Sequence, residues 1–300
     1  MARQTQVQHH LKSWISLFIL AIIWGSSFIL IKKGLLVFSA GEVGAFRIVS
    51  AAFVLLPLSL GRIKHLSKKQ IRNLFVVGLV GSFIPAFLFA EAQTQLSSSL
   101  TGILNALTPL FVAIVGAFFF GTKITKRTAL GLAIAFLGVF ILINIRQGGG
   151  FGQLNGYVFY VLLASFCYGI NVNIIKYWFV ALKPVEITAI SLLMMLPIAL
   201  IYLLVGTSFS FKLTYETDAW EALAYLTLLG VVGTAAALII FNGLVKIATP
   251  VFASSVTYLI PVVAVFWGVI DGEVLLFGHY IGMGAILLGV WIGNKKTEKT

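Results

Sequence analysis

The sequence predicts an all-α polytopic membrane protein: ten transmembrane helices forming two inverted-topology five-helix repeats. Three observations carry this. Hydrophobic residues make up 60% of the 300 and charged residues only 10%, and the mean hydropathy is +1.04. A soluble domain carries roughly 25% charge, so this surface suits acyl chains. Apolar runs close to the roughly 20 residues that cross a bilayer alternate with short charged clusters. Whole phrases also recur: GLVGSFIPAFLF at Gly78 returns as GVVGTAAALIIF at Gly230, 152 positions later.

The spans follow in order. A basic segment, MARQTQVQHHLKS, precedes the first, at 13–33. Its apolar run is long for a signal-peptide core and lacks a small-x-small cleavage site, so it reads as retained. The second, 41–60, carries Arg47 about six residues in, and the third, 71–91, holds Gly78, Gly81 and Pro85. In the fourth, 97–120, Ser98, Thr101, Asn105 and Thr108 share one helical face. The fifth spans 128–145, the sixth 156–178 and the seventh 184–206. The eighth is 219–241. The ninth, 248–270, sets Pro250, Ser254, Thr257 and Pro261 on one face, and the tenth is 275–293. Trp14, Trp178, Trp220 and Trp291 fall near span ends, where aromatic belts lie.

An even count puts both termini on one side. Of the 21 basic residues, only Lys32, Lys33, Arg47, Arg146 and Lys212 lie opposite, leaving 16 with the termini. The positive-inside rule then makes the tails, 1–12 and 294–300, cytoplasmic. The net charge of +12 does not indicate nucleic acid, because the charges sit in clusters between spans.

The repeat runs through both halves. LTPLFVAIVGAFFFG around Pro109 matches LIPVVAVFWGVIDG around Pro261, and WGSSFILIK at 24–32 returns as YGINVNIIK at 168–176. Five is odd, so the second copy enters the membrane from the other side. Inverted repeats suit alternating access, since each half can adopt the other's conformation. Gly131 and Gly138 match Gly282 and Gly289, and Gly278 stands four before Gly282. Such small residues suit close packing of the fifth and tenth spans, within one monomer or between subunits of a homodimer.

The ten-span layout and the pattern ILNALTPLFVAIVGAFFFGTKITKRTALGLAIAFLGVFIL, with its partner SSVTYLIPVVAVFWGVIDGEVLLFGHYIGMGAILLGVWI, resemble the EamA family of the drug/metabolite transporter superfamily. Two EamA units would cover 14–145 and 156–293. The family places Gly-Glu after the fourth and ninth spans; Gly272-Glu273 keeps it, whereas Gly121-Thr122 departs from it. The resemblance implies a carrier of the bacterial inner membrane, commonly an exporter of amino acids or related metabolites. Exporters of drug-like amphiphiles or other metabolites are the alternative, followed by a non-transport membrane scaffold.

Polar side chains are costly against lipid, so they mark a bundle interior. The expected cavity brings together Trp24, Ser27, Arg47, Ser82, Phe89, Thr101, Asn105, Thr108, Tyr168, Asn171, Thr234, Phe241 and Thr257. Its aromatic walls and uncharged amide and hydroxyl groups fit a small amphipathic organic solute. Each Ser or Thr has a local alternative, bonding to its own helix. Arg47 reads either as a clamp for a carboxylate or as a group that snorkels to the outer interface or pairs with Glu42. Lys32 and Lys176, which are repeat equivalents, read as snorkelling or as gating contacts. Pro85, Pro109 and Pro261 read as hinges or as packing variation. Glu91 and His279 would titrate in a proton-coupled cycle or sit solvated at span edges. The single Cys167 and the absence of HExxH, GxSxG and phosphate-loop motifs leave no sign of an enzyme, a metal or another cofactor.

Overall fold

The computed structural model describes residues 2–64, 66–143, 156–179, 181–248 and 250–294. Arg146 and the tail beyond Asn294, including its lysines, lie outside the described residues. The first tail, up to Lys12, is helical in backbone.

The helices are α1 (Ala2–Leu35), α2 (Ala40–Ile63), α3 (Lys68–Ala92), α4 (Ser98–Phe120), α5 (Lys126–Ile143) and α6 (Val158–Trp178). There follow α7 (Pro184–Val205), α8 (Phe209–Tyr215), α9 (Ala219–Ile247), α10 (Phe252–Ile270) and α11 (Phe277–Asn294). Eight of these are long and apolar enough to cross a membrane, and Phe277–Gly293 is a further, shorter apolar helix. The seven-residue α8 falls between expected spans, and α9 runs past the expected end at 241 to Ile247. Phe118, Phe119, Ile201, Val262 and Leu288 project outward, each at least half exposed. That surface would be costly in water, and a lipid phase covers it.

Helix starts follow capping chemistry. Ser39 accepts from the Glu42 N–H while Glu42 Oε2 accepts from the Ser39 N–H at 2.7 Å, and Ser67 and Gln70 repeat the arrangement before α3. Gly121 (φ 69°) and Gly272 (φ 82°) end α4 and α10 in the left-handed region, where a side chain would be strained.

Two helix pairs show the arrangement of the halves. Arg62, at the end of α2, pairs with Glu186 at the start of α7 at 3.4 Å. Glu42, at the start of α2, pairs at 2.8 Å with Lys212 just beyond the end of α7. These two helices therefore run antiparallel. The α5–α11 seam is likewise antiparallel, because a Cβ on Gly131 would strike the Gly289 carbonyl and one on Gly138 would come within 2.7 Å of the Gly282 carbonyl. The glycines of this seam are thus used within one chain.

Four departures from regular helix matter for the interior. Leu79–Phe83 in α3 and Val231–Ala236 in α9 are wide π turns, at positions 152 residues apart. Pro85 follows the first, but Ala237 occupies the equivalent place after the second. Proline is therefore not their common cause; both share Gly-x-x-Gly followed by Ser or Thr. In α4 the helix breaks after Asn105 and restarts at Thr108, and in α10 a 3-10 turn occupies Ser255–Tyr258. Pro109 and Pro261 each stand at the start of the helix that resumes, where a missing N–H costs nothing.

Candidate functional site

A central cavity lies where these irregular turns meet. Twelve of the thirteen expected residues line it: Trp24, Ser27, Arg47, Ser82, Phe89, Asn105, Thr108, Tyr168, Asn171, Thr234, Phe241 and Thr257. Thr101 does not. It is fully buried, and its hydroxyl donates to the Ser97 carbonyl at 2.9 Å. Helical spacing put it on the face of Asn105, but it lies a full turn nearer the helix start, inside the packing against neighbouring helices. Phe28, Ile31, Gly81, Val172, Gly233, Leu238, Ser254 and Val256 complete the wall. Most of these carry no polar signal. The glycines are marked in another way, by the repeated phrase they belong to.

The wall is built from matched contacts. Trp24 packs on Phe241 with ring centroids 5.0 Å apart, and the equivalent Tyr168 packs on Phe89 at 5.8 Å. A Cβ on Gly81 would come within 2.5 Å of Asn171 Oδ1, and one on the equivalent Gly233 within 2.9 Å of Ser27 Oγ. Glycine is required at both because a polar side chain of the facing helix lies against the backbone. Trp24 Nε1 also donates to the Gly233 carbonyl at 3.0 Å, which the wide turn leaves within reach.

Several hydroxyls follow the local alternative. Ser27 donates to the Ile23 carbonyl at 2.9 Å and Thr257 to the Ser254 carbonyl at 2.9 Å. Thr108 donates to the Asn105 carbonyl at 2.8 Å and lies 3.1 Å from Asn105 Oδ1. The bonds of Thr257 and Thr108 satisfy carbonyls at the breaks, whereas that of Ser27 lies within the regular α1. Asn171 Oδ1 differs: it is buried without a hydrogen-bond partner.

The snorkelling reading of Arg47 is corrected. It is 9% exposed, lines the cavity, and donates from Nε to Thr234 Oγ1 at 2.7 Å. Its guanidinium also interacts with the Tyr168 hydroxyl. Glu42, the expected partner, is taken by Lys212 and the Ser39 N–H. The cavity is therefore not uncharged.

An ionic cluster lies at the end of the bundle reached by the last turn of α1. Lys32 lies 2.7 Å from Asp271 and 3.1 Å from Glu273, and Lys33 lies 2.5 Å from Asp271. Glu273 also accepts from the Ser98 N–H (2.8 Å), the Ser99 N–H (3.1 Å) and the Ser99 hydroxyl (2.6 Å), so it caps α4 as well. Hydrogen bonds from Lys32 and Lys33 hold the Asp271 carboxyl below its ordinary value. Burial alone would raise Glu273, but its bonds from Ser99, Ser98 and Lys32 leave it lowered. Lys176 at the opposite end donates to the carbonyls of Ala248 (2.7 Å) and Val245 (3.2 Å). Both lysines thus make specific contacts in place of snorkelling. Glu91 is half-buried at the end of α3, while His279 Nδ1 accepts from the Leu276 N–H at 2.9 Å and caps the start of α11.

Among the described residues, no three His, Cys, Asp or Glu side chains cluster as metal ligands. A multi-pass helical bundle with a mostly apolar cavity at its centre is the architecture expected of a membrane carrier. The chain belongs to the EamA-like transporter family, whose model matches residues 11–144 and again residues 155–294. It is 26% identical over 286 residues to the uncharacterized inner membrane transporter YedA of Escherichia coli, covering 92% of this chain and 88% of that one. A probable amino-acid metabolite efflux pump of Escherichia coli is 26% identical over 156 residues, 52% of this chain and 50% of that protein. A solved crystal structure superposes with a TM-score of 0.66 at 16% identity over 93% of this chain and 95% of that one, which shows a shared fold.

Proposed function

We propose that the protein is a secondary transporter of ten spans that moves small organic solutes across the bacterial inner membrane by alternating access, exporting amino acids or related metabolites from the cytoplasm. The observation that carries this is the cavity itself: its wall is made of repeat-equivalent contacts from both halves. Such a site can be exposed to either side when two like halves exchange conformations. Further support comes from the antiparallel α2–α7 and α5–α11 pairs, as inverted copies require. On this reading α5 and α11 are the fifth and tenth spans, both termini are cytoplasmic, and the EamA units are 14–145 and 156–293. The solute class draws on the name of the partial relative, an amino-acid metabolite efflux pump. Drug-like amphiphiles remain the second reading, favoured by the five aromatic side chains of the wall.

Counterflow in proteoliposomes tests the proposal. Vesicles loaded with pools of unlabelled amino acids and their derivatives should accumulate trace labelled solute saturably. Asn105→Ala and Asn171→Ala should each raise the half-saturating concentration about three- to tenfold, the cost of about one hydrogen bond. Flux that never saturates, or variants that transport unchanged, would refute the cavity as the transport site.

A further inference from the structure

The cavity holds one formal positive charge that no described carboxylate neutralises. Among its 20 lining residues, Arg47 is the only one that carries a charge at neutral pH. Among the described residues Arg47 enters no ion pair: Glu42, Glu186, Asp271 and Glu273 are engaged by Lys212, Arg62, Lys32 and Lys33 at the two ends of the bundle. Its guanidinium offers five N–H donors, and its partners are two neutral oxygens, those of Thr234 and Tyr168.

We propose that the ligand of this cavity is a net monoanion, an amphipathic monocarboxylate with no compensating ammonium group. The inference rests on the cavity being the solute site, and it narrows the class to derivatives whose amino group is absent or acylated. A buried, unpaired charge is expensive. A ligand of charge −1 removes that expense, and a carboxylate matches the planar fork bidentately. A zwitterion brings its own cation, for which the wall holds no carboxylate. Asn171 Oδ1, buried and unpartnered, leaves one acceptor free for a donor on the ligand, such as an amide N–H or a hydroxyl. The Trp24–Phe241 and Phe89–Tyr168 pairs cover an apolar body.

Three probes of one shape separate the charges: 3-phenylpropionate, its neutral amide, and zwitterionic phenylalanine. Binding is measured by calorimetry on the purified full chain, and transport by counterflow with the same three. The acid should bind at least about tenfold tighter than either other probe, as a charge-assisted bidentate pair implies. Arg47→Gln should reduce that preference to about twofold or less while the amide still binds, and Arg47→Lys should keep part of it. Equal binding of amide or phenylalanine, survival of the preference in Arg47→Gln, or no binding of any probe overturns the inference. The wild-type comparison decides the charge even if a variant fails to fold. Preferential acid binding without counterflow upholds the inference and defeats transport. Saturable counterflow without charge preference does the reverse.

Discussion

The two ends of the bundle carry the same lysine and treat it differently. Lys32 ends its helix in a cluster with Asp271 and Glu273, and Glu273 in turn caps α4. Lys176, its repeat equivalent, meets carbonyls at the end of α9. The residue matching Glu273 in the first half is Thr122, and each lies against an equivalent glycine, Gly268 and Gly116. One backbone design therefore carries a cluster of ion pairs at one end and a lysine bonded to backbone carbonyls at the other. The second half places both Asp271 and Glu273 at the ionic end, where the matching first-half positions hold Phe120 and Thr122, and that difference sets which end is held by ion pairs.

The largest effect should come from breaking the ion-pair cluster. Glu273→Gln removes a carboxylate whose side chain is only 6% exposed and which serves Lys32 and two backbone N–H groups. It should cost roughly 1–3 kcal/mol and lower the thermal midpoint in detergent. Thr122→Val should shift that midpoint by less than the measurement error. An equal loss in both variants would erase the contrast.

Acid should act on the same end. Both cluster carboxylates have lowered folded values. Their contribution is then fully present above the ordinary carboxylate range and is lost as pH falls through the lowered values, below about pH 4. The thermal midpoint in detergent should fall in that range, and it should fall less in Glu273→Gln, which has already lost one of the two carboxylates.

A smaller effect sharpens the comparison. Thr122→Glu places a carboxylate where the second half has one, within the expected reach of Lys176. It should slow cysteine labelling at that end about two- to fivefold, in line with a partly exposed ion pair. The smallest effect belongs to Lys33→Met, whose side chain is 36% exposed. Its loss should move the thermal midpoint by about a degree or less, as exposed pairs contribute little.

Much of the interior was legible in the sequence. Asn105, Asn171, Trp24 and Tyr168 were identifiable because lipid penalises polar groups and duplication marks equivalents. Thr101 was misplaced because helical spacing gives a face but not how deep along it the cavity extends. Arg47 was ambiguous because six residues into a span allows either snorkelling or burial, and the choice depends on whether Glu42 is free. Lys212, on the short α8, takes that carboxylate, and a segment beyond the apolar runs gave no sign of doing so. The π turns have a shared sequence, Gly-x-x-Gly-Ser/Thr, but their width becomes visible only when the facing Asn171 and Ser27 are seen against the glycines.

The most direct test of alternating access through this cavity is counterflow with the ionic end locked shut. In a Cys167→Ser background, Lys32→Cys and Asp271→Cys are bridged by a short reducible crosslinker. Counterflow should fall to the level of protein-free vesicles and return when the crosslink is reduced. Full flux through the crosslinked protein would mean that solute does not pass by way of this cavity and this end.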